Sequence, residues 1–372
     1  MSFGRIVVAM MLVLAFLEAG ALLMAQHPAI WWSILEAKEV SSMQQSRIFV
    51  SGTGGYHAYR IPALVVSTKG TVLAFCEGRK NGLADDGDID LLLRRSLDGG
   101  QTWQDVQLIH DAGGNTAGNP APVVDATTGT IHLVFCINNT TVWVTESVDD
   151  GETWATPREI TQSVKQPSWT WYATGPGHGI QLQSGRLLIP CDHTGHAHVI
   201  YSDDHGHTWQ LGGIVTKGTN ESIAVETVDG GLYINCRNTS DTGRTHRAYA
   251  WSYDGGETFE PAQWDSTLVE PICQASLVRF STEKDSGRNR VLFCNPASPK
   301  RERMTVRVSY DECRTWSLGR IVHFGPSAYS DLCVLPDMTI GLLYEQGQYS
   351  PYETITFAQF SLEWLTDGKD RL

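Results

Sequence analysis

The chain has 372 residues, with 41 acidic and 28 basic side chains and a formal net charge of −13. That balance argues against a nucleic-acid partner, which needs a basic face. Eight cysteines occur, none in a CxxC pair and most alone in apolar runs such as VLAFC ending at Cys76, so buried thiols are expected rather than a disulfide framework, with one or two bridges as the alternative in an exported protein.

At the N-terminus Arg5 precedes an apolar run from Ile6 to Leu17, followed by the small residues Ala19, Gly20 and Ala21. This order predicts an export leader over residues 1–25, with an uncleaved anchor as the alternative. The run is short and is followed at once by Glu18, so no stable membrane span, which needs ~20 apolar residues, is expected. Residues 26–46 read as a linker or short helix, 47–365 as one folded domain and 366–372 as a tail. A secreted or periplasmic monomer is the expectation.

Within the domain one pattern recurs: Ser-x-Asp-x-Gly-x-Thr-Trp. It reads SLDGGQTW from Ser96, SVDDGETW from Ser147 and SDDHGHTW from Ser202, then SYDGGETF from Ser252 and SYDECRTW from Ser309. The last two copies place Phe259 for Trp and Cys313 for Gly. Successive serines are 51, 55, 50 and 57 residues apart. Asp and Gly favour a tight turn, and Thr-Trp re-enters a strand. Each copy is therefore a hairpin turn in an antiparallel sheet, and its role is scaffold. A repeat of ~50 residues holds four strands, and such units close on one another in a propeller. The span from Arg47 to Trp364 accommodates six. The fold class is all-β, a six-bladed β-propeller of four-stranded antiparallel blades. The last blade would use Thr339–Tyr344, Thr354–Leu362 and a strand near Arg47–Val50. One or two carboxylates per turn fall short of a calcium site.

Arginines in apolar, strand-like surroundings are the unusual feature: Arg60 in YRIPAL, Arg79 after Glu77-Gly78, Arg237 in YINCRN and Arg301 in PKRERMTV. Such arginines are costly unless they meet anions. Converging in a central channel, they would clamp a carboxylate or phosphate.

YRIP at Tyr59–Pro62, the five repeats, and the late tyrosine and glutamate segments together resemble the exo-α-sialidase (neuraminidase) family, over most of the chain from Arg47 to Leu365. The resemblance implies roles. Arg60, Arg237 and Arg301 would grip the carboxylate of sialic acid, with Arg303 the alternative to Arg301. Arg79 would line the site near the ring hydroxyls. Asp85 would be the general acid/base, with Asp86 the alternative. Tyr329 in SAYSD would be the nucleophile and Glu221 its base, with Glu226 the alternative. Glu345 in LLYE would hold the first arginine. The family often has Cys where Ser222 stands here.

A tyrosine suits this chemistry, because the anomeric carbon of the substrate carries a carboxylate that would repel an anionic Asp or Glu nucleophile. Sialidases depart from the two-carboxylate rule in this way. A phenol with an ordinary pKa near 10 then needs a base beside it. No cofactor or metal is implied, and sialylated glycans are the expected partners.

The segment from Trp169 to Gly179, WTWYATGPGHG, resembles the family as well. Trp171 is a candidate to line the pocket for the N-acetyl or glycerol group, with packing as the alternative for its aromatic cluster. His193, His196, His198, His205 and His207 raise a metal reading, but no Cys or carboxylate spacing completes a ligand set. A lectin without cleavage and a trans-sialidase are the competing functions.

Overall fold

The computed structural model describes residues 42–372; the expected leader and all but the end of the expected linker lie outside the described residues. Among the described residues no helix is long and apolar enough to cross a membrane.

The described residues form an all-β, propeller-like arrangement of antiparallel sheets. The first sheet runs Ala58–Val66, Val72–Arg79, Ile89–Ser96, Gln107–His110, and the second Ala117–Val124, Ile131–Ile137, Thr141–Ser147, Arg158–Glu159. In the third, Ala173–Thr174 and Ile180–Gln181 both pair with Leu187–His193, which is followed by His196–Ser202 and Gln210–Ile214. The fourth runs Thr219–Glu226, Leu232–Asn238, His246–Ser252, Gln263–Val269. The fifth has seven strands, from Ser276–Ser281 at one edge to Gln44–Val50 at the other. Its strand Arg320–Val334 pairs with Glu302–Ser309 through its first half and with Ile340–Gln346 through its second. The strand Gln44–Val50 lies against Thr354–Phe360. It begins inside the stretch read as linker, since Gln44, Gln45 and Ser46 leave no apolar signal.

All five repeats are turns held by one set of hydrogen bonds. In the first, Ser96 donates to Asp98, Gly100 N–H to the Ser96 hydroxyl, and Thr102 to Asp98 through both amide and hydroxyl. Asp311 and Ser309 repeat the set in the fifth, with Cys313 donating where Gly does elsewhere. The aromatic residue that ends each turn ties its sheet to the preceding one. Trp154 packs edge-on against Phe75 of the first sheet at 5.8 Å. Trp209 packs on His132 of the second, and Phe259 joins the cluster of Leu188 and Val199 in the third. Trp316 joins the cluster containing Tyr233 of the fourth. Trp103 of the first sheet packs against Phe357 of the last at 5.2 Å, which closes the circuit. Gly100 has a φ of 93°, and a Cβ there would run into Phe357, so the turn needs glycine to reach its neighbour.

Candidate active site

Four strands that open a run of pairing carry the same irregularity near one end. The register slips between Arg60 and Ala63, between Gly118 and Ala121, between Thr219 and Ser222, and between Ser327 and Ser330. A bulge re-aims the side chains of the residues it skips. Ile61, Asn119, Asn220, Glu221 and Tyr329 all fall in these slips, and all line one cavity of about 220 Å³. Ile61 and Asn119 both precede a proline and both have a φ of 58°, so each turn is fixed in a left-handed kink. Arg79, Asp85, Trp171, Asp192 and Arg237 complete much of the wall.

Tyr329 is the centre of this constellation. Its hydroxyl donates to Glu221 Oε1 and accepts from Arg237 Nη1 at 2.9 Å. Arg237 also pairs with Glu221 Oε2 at 2.8 Å. The Arg60 and Arg301 guanidiniums lie 5.2 and 5.5 Å from the centre of the Tyr329 ring. Behind them Glu345, fully buried, accepts from Arg60 Nε at 2.6 Å and from the backbone amides of Ile61 and Tyr329 at 3.0 Å each. One carboxylate thus ties the first arginine to the backbone of the tyrosine.

The electrostatics follow from burial and these partners. Burial pushes the Tyr329 phenol well above its ordinary pKa, and the Glu221 carboxylate beside it adds to the rise. Burial also opposes the charges of Arg60 and Arg237, but Glu345 and Glu221 outweigh it, and both pKa values are raised. Arg301 is different: among the described residues no carboxylate lies within ion-pair reach of it. It donates instead to the Tyr352 hydroxyl at 2.7 Å and to the Ile272 carbonyl at 3.3 Å.

Arg79 is buried and holds two things. Its Nε and Nη2 bind Glu77 Oε2 at 2.9 and 2.7 Å. Its Nη1 donates to the carbonyls of Leu83 and Ala84 at 2.6 and 3.0 Å and pairs with Asp85 at 2.8 Å. The exposed acidic loop is thereby pinned to a buried cation. Glu77 in turn accepts from the Asn119 amide at 2.9 Å.

The structure therefore gathers Arg60, Arg79, Asp85, Trp171, Glu221, Arg237, Arg301, Tyr329 and Glu345 around one phenol and its cavity. Of the alternatives, Arg303 is exposed, and Asp86, exposed like Asp85, does not line the cavity that Asp85 lines. Glu226 accepts from the Gln183 amide and lines a different cavity, of about 930 Å³, that includes no residue of this site. The aromatic segment divides: Trp171 is 42% exposed at the cavity, Tyr172 is fully buried, and Trp169 stacks on His193. His193 and His198 face one another through Nδ1 at 3.0 Å, and burial lowers both pKa values, that of His193 to about 4. Asp88, Asp90 and Asp111 lie close together, with the Lys80 ammonium among them at 2.8, 3.0 and 3.6 Å. All eight cysteines are free and buried.

Sequence reasoning missed Tyr352, Glu77, Asn119 and Asp192. Tyr352 stacks on Arg60 at 4.1 Å while its hydroxyl meets Arg301, so one side chain braces two arginines. Its only sequence signal is an aromatic flanked by Pro351 and Glu353 in a loop. Glu77 was visible, directly before Gly78-Arg79, as a carboxylate in a strand otherwise apolar up to it.

The site thus combines a buried phenol, a carboxylate hydrogen-bonded to it and three arginines around it. The BNR repeat-like domain family matches residues 62–344. A sialidase of Micromonospora viridifaciens is 35% identical over 85% of this chain and 53% of its own length. An exo-alpha-sialidase of Aspergillus fumigatus is 31% identical over 84% of this chain and 86% of its own. Among solved structures, the Hadza microbial sialidase Hz136 aligns with a TM-score of 0.80 and 31% identity over 87% of this chain and 69% of that one. The chain belongs to the sialidase family of glycoside hydrolases. It spans about half the length of the Micromonospora relative.

Proposed function

We propose that the protein is a retaining exo-α-sialidase that releases terminal sialic acids from glycans through a tyrosyl-linked intermediate, on a six-bladed propeller. Six blades follow if the strand Arg320–Val334 is counted as the last strand of one blade and the first of the next, with Gln44–Val50 closing the sixth. One observation carries the reading: the Tyr329 hydroxyl shared by Glu221 and Arg237, with Arg60 and Arg301 beside its ring.

The chemistry follows from that arrangement. Arg60, Arg237 and Arg301 bind the sugar carboxylate, and Arg301 brings a charge that no carboxylate among the described residues neutralises. Glu221 takes the phenolic proton as Tyr329 attacks the anomeric carbon, and Arg237 Nη1 stabilises the oxygen as its proton leaves. Asp85 gives a proton to the departing glycosidic oxygen and then removes one from the water that releases the sugar. Two inversions at the same carbon give net retention. The apolar run Ile6–Leu17 fits export towards glycans outside the cell.

The decisive comparison is turnover of an aryl α-sialoside and of a natural sialyl-oligosaccharide by the parent, Tyr329→Phe and Asp85→Ala. Asp85→Ala should lose about 10²–10⁴ on the oligosaccharide and far less on the aryl substrate, whose leaving group needs no proton. Tyr329→Phe should lose heavily on both. Similar rates in all three proteins would remove the mechanism.

A further inference from the structure

Asp192 is a buried acid in the wall of the cavity with no part in the steps above. It sits on the strand Leu187–His193 opposite Ala173 and is 1% exposed. Its Oδ2 accepts from Asn220 Nδ2 at 2.8 Å, the Trp171 side chain lies nearby as a donor, and its buried Oδ1 makes no hydrogen bond among the described residues. Asn220 immediately precedes Glu221 in the slipped segment of its strand, so the Asp192 carboxyl anchors the backbone that carries the base.

We propose that Asp192 is a positioning residue that acts as a neutral carboxylic acid: it fixes Asn220, and so Glu221, without adding a negative charge to a cavity built for an anion, and its ionisation sets an upper pH limit on activity. This rests on the sialidase reading above.

The physical case is the cost of the alternative. A buried carboxylate with one oxygen unmet carries a heavy desolvation penalty, and the neutral acid a much smaller one. The groups facing Asp192 act in both directions. Burial raises its pKa well above the ordinary value and Glu221 raises it further, while Arg237, Trp171 and Asn220 favour the anion without prevailing. Tyr172, Cys136 and Cys191 also approach it and are themselves kept neutral by burial. Once ionised, Asp192 would place a second anion near Glu221. That anion opposes entry of the substrate carboxylate, so kcat/KM falls as pH rises.

Asp85 can also produce an alkaline limb, because it must be protonated to act as an acid. The test removes that contribution. The pH profile of kcat/KM is measured on an aryl α-sialoside for Asp85→Ala and for Asp85→Ala with Asp192→Asn, each checked by thermal melting. The limb should persist in the single variant and move up by at least one pH unit, or vanish, in the double variant. A double variant that keeps the limb in place, or loses rate equally at every pH, overturns the proposal. A second measurement needs no turnover: the infrared carbonyl band of a protonated carboxyl at neutral pH should be present in the parent and absent in Asp192→Asn. If the parent hydrolyses no sialoside yet shows this band, the sialidase reading falls and the neutral acid stands. Absence of the band from the parent overturns the proposal.

Discussion

Replacing Glu345 by alanine should damage stability and substrate binding together. The side chain is fully buried and accepts three hydrogen bonds, from Arg60 Nε, Ile61 N and Tyr329 N. Alanine leaves the buried Arg60 guanidinium without its ion-pair partner, and removing one member of a buried pair costs about 3–5 kcal/mol. Each backbone amide left unmet adds about 1–3 kcal/mol, part of which is recovered if water enters the space. A net loss of about 5 kcal/mol is the expectation. At about 2 °C per kcal/mol for a domain of this size, the melting midpoint should fall by about 10 °C. Because Arg60 loses its tether, KM for an aryl sialoside should rise by about tenfold, which corresponds to 1.4 kcal/mol. Glu345→Gln, which keeps shape but not charge, should fall between. Melting followed by circular dichroism, with initial rates on the same preparations, measures both effects. A midpoint within about 1 °C of the parent, with KM unchanged, would show that Glu345 is not the tether inferred from these contacts.

Tyr352→Phe keeps the ring on Arg60 but deletes the hydroxyl that meets Arg301. The loss of one hydrogen bond to a charged group, about 1.5 kcal/mol or more, should raise KM roughly tenfold and change kcat less; an unaltered KM would count against the bracing role. The repeat turns predict an acid limit. Hydrogen bonds from Thr102 and Thr153 pull the Asp98 and Asp149 carboxyls down to about 2. Their folded pKa values lie below the unfolded value of about 3.9. The stability they contribute is therefore present above about pH 4 and lost as pH falls towards 2. Urea midpoints at pH 4.5, 3 and 2 should fall less steeply in Asp98→Asn than in the parent, and identical slopes would refute the assignment.

What could be read in the chain is what is local. A repeat turn closes its hydrogen bonds within eight residues, so Ser96 to Trp103 declares itself without its surroundings. Arg60, Arg237 and Tyr329 could be placed because each sits in a short segment shared with a known family. Tyr352 could not, since it acquires meaning only beside Arg301, 51 positions away, and Arg60 on another sheet. Asp192 was hidden for a similar reason. Its neighbours in sequence are cysteine and histidine, and only folding brings Asn220 and Glu221 to it. The slips in four strands also escaped notice, because a residue skipped by the pairing leaves no periodic trace, although Ile61-Pro62 and Asn119-Pro120 mark two of them. The strand Arg320–Val334 changes partner at Gly325-Pro326, a break signal in the sequence that the repeat spacing alone does not bring out.

The bond between Arg60 and Glu345 spans 285 positions, and the strand Gln44–Val50 waits for Thr354–Phe360. During synthesis the earliest segment of the domain must remain unpaired on that edge until nearly everything else has emerged from the ribosome. The anion clamp cannot assemble before then. A chain lacking Thr354–Phe360 would hold Arg60, Tyr329 and Glu345 but would leave both Gln44–Val50 and Ile340–Gln346, the strand that carries Glu345, without the partner strand between them.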